Sequence, residues 1–154
     1  MTRNASLCLG GIYKISLPGS QWHCVIARKS PTSAFFLGYF FLGSEMPLEM
    51  SAKKADCVEM VTKIAIVNGS WPFVKGLENW APQDWPVPIF RTTLPGMSGE
   101  ETSRVVIYEE NIEDFRFEHW PKEKAKDFPE DGLAGSRFME RRLERIAKQL
   151  SESK

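Results

Sequence analysis

At 154 residues, 42% hydrophobic and 26% charged, the chain has the size of one domain and neither the polarity of a disordered protein nor the long apolar runs of a membrane protein. Its 20 basic residues balance its 20 acidic ones, so no global charge draws it to nucleic acid or anionic lipid, and an electrostatic partner must be chosen by a local patch. Three cysteines, Cys8, Cys24 and Cys57, form no CxxC pair and speak against both a disulfide framework and a zinc site.

No apolar stretch of signal-peptide length opens the sequence, and its longest apolar run, "FFLGYFFL", falls far short of the roughly 20 residues that span a bilayer. A cytoplasmic protein without membrane contact is expected, with the glycosylation patterns at Asn4 and Asn68 accidental. From Gly10, "GGIYKISL" alternates, with Ile12, Lys14 and Ser16 on one side and Tyr13, Ile15 and Leu17 on the other, until "PGS" breaks it: a strand and a tight turn. "QWHCVIAR" reads as a second strand and "SAFFLGYFFLG" as a third, apolar on both faces and therefore central in a sheet. Residues 43–57 suit a short surface helix opening near Pro47. Residues 58–67, "VEMVTKIAIV", return to strand, and "WPFV" is an extended piece that its proline keeps off a central ladder position. A long loop through Trp80 and Trp85 then delivers the chain into an edge strand, "VPIFRT". "SRVVIYEE" and "DFRFEHW" are two further strands. Beyond a polar linker, Leu133, Phe138, Met139, Leu143, Ile146, Ala147 and Leu150 recur mostly at steps of three and four, the pattern of an amphipathic helix that Ser136 can cap.

Catalytic signals are weak. His23-Cys24 is the one close Cys/His pair, but neighbours on a strand point to opposite faces. Two histidines this far apart give no metal signature, and "GLAGS" and "GMSGE" lack the spacing of phosphate-binding loops. No cofactor and no metal are expected.

Charge distribution says more. Residues 100–118 hold Glu100, Glu101, Glu109, Glu110, Glu113, Asp114 and Glu118 against Arg104 and Arg116, a local charge of −5 in a neutral chain. Such a run is either a solvated face or a patch that steers a basic partner. Three tryptophans fall within "SWPFVKGLENWAPQDWP". Trp-Pro steps force an extended backbone and suit a loop that covers a core, whereas an exposed tryptophan marks a binding hot spot. Trp71 is the expected core member and Trp80 the expected surface one.

In order, "GGIYKISLPGSQWHCVIAR", the aromatic strand, "GSWPFVKG", "DWPVPIFR", "VVIYEE" and "FPEDGLAGSRFMERRLERI" resemble the immunity protein 26 family of bacterial polymorphic-toxin systems, over residues 10–148. The residues that carry the likeness are Trp71-Pro72 followed by Gly76, Asp84-Trp85-Pro86 with Pro88 and Phe90, and the "DGLAG" lead-in, ending at Gly135, to the last helix. This chain departs from the family pattern at Gly11, where an acidic residue is usual, and at Ser136, where an aromatic one is. The resemblance implies a small, non-catalytic α+β protein that binds and neutralises a bacterial toxin in the cytoplasm. Gly11, Trp71, Pro72, Trp85, Pro86 and Gly135 then serve as structural signature.

The sequence is therefore expected to form one α+β domain over residues 1–154, a strongly bent, mainly antiparallel sheet of about six or seven strands with a C-terminal helix against it. Its expected partner is a cognate protein toxin, of which a basic nuclease is one candidate. No direct nucleic-acid contact is expected, and the chain is expected to be a monomer or a homodimer. Glu109, Glu110, Glu113, Asp114 and Glu118 are the first candidates for the contact, and Trp80 the second. Two alternatives stay open: a small hydrolase using the acidic 109–118 cluster, and a general protein or peptide interaction domain using the tryptophan loop.

Overall fold

Five strands between residues 11 and 76 build one antiparallel sheet. The computed structural model describes residues 7–30, 32, 34–45, 50–92, 102–109, 111–125 and 136–152. Within them lie strands β1 (Gly11–Leu17), β2 (Ser20–Lys29), β3 (Phe35–Leu42) and β4 (Cys57–Thr62), helix α1 (Ile64–Val67), strands β5 (Phe73–Gly76), β6 (Phe90–Thr92), β7 (Thr102–Tyr108) and β8 (Phe115–Pro121), and helices α2 (Lys122–Ala125) and α3 (Ser136–Glu152). The first sheet runs β4-β3-β2-β1-β5 and the second β6-β7-β8, with every pairing antiparallel. The expected α+β class and antiparallel pairing are present, with eight strands divided between two sheets.

The β1–β2 hairpin turns at Pro18-Gly19, where Gly19 takes φ +81°, a value glycine reaches without steric cost. Its register sets Tyr13 opposite Cys24 and Ile15 opposite Trp22, while Ile12 lies opposite Val25 on the other face. That split runs through the whole sheet. One core gathers Tyr13, Ile15, Trp22, Cys24, Ile26, Phe36, Phe40 and Val61 under Met139 and Leu143 of α3. The other gathers Ile12, Val25, Ala27, Leu37, Tyr39, Phe41 and Met60 against Trp85, Phe90 and Ile112 from the later part of the chain. β3 contributes to both, as its two-faced apolar pattern predicts.

Four sequence expectations are corrected. Strand β4 ends at Thr62 because its partner β3 begins at Phe35, directly opposite; residues beyond have no ladder to join and close their own bonds as α1, burying Ala65 and Ile66 while Ile64 faces solvent. The polar linker after β8 opens with the short helix α2. Among the described residues of 43–57, Ala52–Lys54 form a 3-10 turn and Cys57 opens β4, while Pro47 lies outside the described residues. Helix α3 includes Ser136 and docks through Met139, Leu143, Ile146 and Ala147, but Phe138, counted in the apolar series, is exposed.

Candidate functional site

The tryptophan loop is fastened down along its length. Trp71 is buried in the first core, edge-on to Phe40 at 6.1 Å, and the Pro72 carbonyl accepts a hydrogen bond from the Lys14 amide. Trp85 is buried in the second, edge-on to Tyr39 at 5.1 Å and Phe41 at 6.0 Å. The Tyr39 hydroxyl donates to the Pro86 carbonyl, and burial pushes this phenol up to about 12. A bulge in β2 after Ile26 turns Arg28 onto the face of the loop, opposite Leu37. Buried there, its guanidinium donates to the carbonyls of Ala27 and Trp85, at 2.8 and 3.0 Å, and of Pro82 at 3.2 Å. Trp80, expected at the surface, is the least buried of the three rings but is still half-covered: it packs 6.1 Å from Trp85 and over Gly10, where a Cβ would sit 2.8 Å from the indole. Buried Gly11 is also tightly held, its amide donating to the Cys8 carbonyl. Gly135 lies outside the described residues.

The acidic candidates occupy the β7–β8 hairpin. At its tip Asn111 organises the turn, its side-chain oxygen accepting from the Glu113 amide at 3.0 Å and its carbonyl from the Asp114 amide at 2.9 Å. Ile112 plugs into the second core. Glu113 accepts the hydroxyl of Thr32 at 2.7 Å and its amide at 3.3 Å, tying the tip to the β2–β3 connection; the Thr32 hydroxyl holds this carboxyl below its ordinary value. Glu109 and Glu118 flank Arg116 at 2.9 and 3.1 Å. The indole of Trp120 also donates to Glu118, and these bonds lower the Glu118 carboxyl, the tryptophan contributing most. Asp114 is exposed. Glu110, Glu100 and Glu101 lie outside the described residues.

Sequence reasoning missed the apolar centre of this hairpin. Phe115 and Phe117, two residues apart and therefore on one face of β8, are 52% and 47% exposed, with ring centroids 5.4 Å apart. Tyr108 packs on Phe115 at 5.8 Å, and the Arg104 guanidinium covers the Phe117 ring at 4.1 Å. The alternation in "DFRFEHW" marked the two phenylalanines as one face, but by itself that pattern signals burial.

Cys24 lies in the core under α3, and burial drives its thiol well above its ordinary range, while His23 shares the opposite face with Phe41, its cross-strand partner. Glu59, fully buried on β4, pairs with Arg142 of α3. Among the described residues no group of three or more histidine, cysteine, aspartate or glutamate side chains is placed to hold a metal ion, and no helix is long and apolar enough to cross a membrane. The clefts beside the β1–β2 turn and at the foot of the tryptophan loop contain no residue of the acidic hairpin.

Comparison with protein-family models, with curated proteins and with solved structures finds no significant match to this chain.

Proposed function

We propose that this chain is a non-catalytic immunity protein of the immunity protein 26 type, which binds a cognate, basic bacterial toxin in the cytoplasm and blocks it stoichiometrically through the β7–β8 hairpin. The observation that carries this reading is a pair of exposed phenylalanines, Phe115 and Phe117, set in an acidic segment whose tip is anchored by Ile112 and Glu113. Apolar rings with a charged rim are the usual composition of a protein-binding patch, and a tip already held in place loses little entropy on association. The hydrolase alternative needs a carboxyl raised toward neutrality within a cleft; Glu113 and Glu118 are instead lowered, as suits groups that stay charged toward a basic partner. The tryptophan loop is the weaker candidate for the contact, since two of its three indoles are committed to the cores.

The test pairs this chain with the toxin domain encoded beside its gene. A stable complex of micromolar affinity or tighter is expected, at about −8 kcal/mol or better. Changing Glu109, Glu110, Glu113 and Asp114 to lysine should slow association by at least about tenfold at low salt and flatten its salt dependence. Absence of any complex refutes the function, and unchanged association kinetics remove the hairpin from it.

A further inference from the structure

The β7–β8 ladder determines which backbone groups of β8 are available. The Glu109 amide donates to the Asp114 carbonyl at 2.9 Å, so these two residues form a hydrogen-bonded pair, and next along the ladder come Tyr108 opposite Phe115, Ile107 opposite Arg116, Val106 opposite Phe117, Val105 opposite Glu118 and Arg104 opposite His119. Hydrogen-bonded and non-hydrogen-bonded pairs alternate in an antiparallel ladder, and both backbone groups of one residue point to the same side. Arg116 and Glu118 therefore bond inward to β7, as the Asp114 carbonyl does to Glu109, while Phe115, Phe117 and His119 turn their N–H and C=O groups outward. Among the described residues β8 has a strand on one side only. The same three residues share the side-chain face that carries the exposed aromatic pair.

We propose that the outer edge of β8 takes an extended segment of a basic partner protein as a fourth strand of the second sheet, the outward groups of Phe115, Phe117 and His119 forming the new ladder and Phe115 and Phe117 packing on alternate apolar side chains of the incoming strand. This rests on the proposed toxin-binding role and names how the partner is held. Strand addition derives its affinity from main-chain bonds and its specificity from alternate side chains, and a straight, exposed edge is its template. Charge selects the occupant. Residues 109–118 carry five acids against Arg116 alone, so a lysine- or arginine-bearing strand is attracted, whereas a second copy of this chain brings the same acids to the same edge and is repelled. No lysine lies within Phe115–Pro121 to guard the edge against pairing.

The probe is an octapeptide of alternating lysine and valine, titrated into the isotope-labelled protein, with amide exchange read residue by residue. At saturation the Phe115, Phe117 and His119 amides should exchange at least about tenfold more slowly, a change of ~1.4 kcal/mol, while an alternating glutamate–valine peptide and an N-methylated lysine–valine peptide leave them unchanged. His119→Pro, which removes an outward donor and leaves the β7 ladder intact, should weaken peptide binding by at least about tenfold, and His119→Ala by no more than about twofold. Failure of the lysine–valine peptide to bind, or binding that leaves the three amides fast, overturns the proposal. So does concentration-dependent protection of those amides without peptide, which would give the edge to a second copy. A peptide that binds as described beside a neighbouring toxin domain that forms no complex upholds the edge and refutes the toxin reading. A toxin complex in which the three amides stay fast does the reverse.

Discussion

His23 is buried on the face of β2 that meets Phe41, with Lys14 of β1 as its cross-strand neighbour, and its Nδ1 has no hydrogen-bond partner among the described residues. Burial first, and the Lys14 charge second, lower its pKa below the ordinary 6.5. The unfolded chain therefore takes up a proton at this position before the folded one does. Stability from keeping the imidazole neutral is complete above pH 6.5 and is lost as pH falls from there through the folded-state value. The lowered carboxyls of Glu113 and Glu118 act in a separate window: their contribution is present above 4.5 and is lost as pH falls through their folded values. Melting temperature should thus decline as pH falls below about 6.5, and His23→Gln should flatten that decline without altering the drop below about pH 4.5. An identical profile for the variant would show that His23 titrates as if unfolded.

At the scale of elements, the joint between α3 and the first sheet includes a buried charge, Glu59, that Arg142 of the helix answers. Glu59 is fully buried between Cys57 and Val61 on the helix-facing side of β4; one of its oxygens accepts the Met60 amide at 3.1 Å and the other meets Arg142. Removing one member of such a pair strands a carboxylate in an apolar setting. Arg142→Met should cost about 3–5 kcal/mol in denaturant unfolding, and the double change Glu59→Met, Arg142→Met should recover most of it, because replacing both charges by apolar groups is close to neutral. Equal losses in the single and double variants would show that the pair does not couple. This joint was only half legible. Steps of three and four marked Met139, Leu143 and Ile146 as the docking face of α3, but "VEMV" gives no sign that its glutamate points inward. Nor could "IAIV" be told from a strand, since a short apolar run suits either structure and only the end of β3 at Phe35 decides it. Phe115 and Phe117 erred in the other direction. Alternation reveals which residues share a face, but whether that face is covered depends on how far the neighbouring sheet reaches.

For the molecule as a whole, the first sheet is shared property: β2 and β3 are buried from both sides, by α3 on one and by the tryptophan loop with the second sheet on the other. Single residues bridge these layers. Arg28 leaves β2 to hold the loop at Pro82 and Trp85, and Thr32, between β2 and β3, holds the hairpin at Glu113. Neither cover can depart without exposing one face of the central strands. The α3 face is packed so closely that there is no room at Gly38 for even a Cβ, which would lie 2.9 Å from the Cys24 sulfur. Residues 1–154 should therefore unfold as one cooperative unit. Far-ultraviolet circular dichroism, which follows both sheets and α3, and tryptophan fluorescence, which samples the first core through Trp22 and Trp71 and the second through Trp80 and Trp85, should give coincident, single-step transitions. A fluorescence transition at lower denaturant than the dichroism transition would reveal the loop and second sheet as a separate unit. The β7–β8 hairpin would then be a mobile appendage, and the entropic advantage argued for its anchored tip would be lost. Coincidence has the opposite meaning for binding: the edge of β8 is then presented by the stability of the entire fold, and a partner meets a strand already in place.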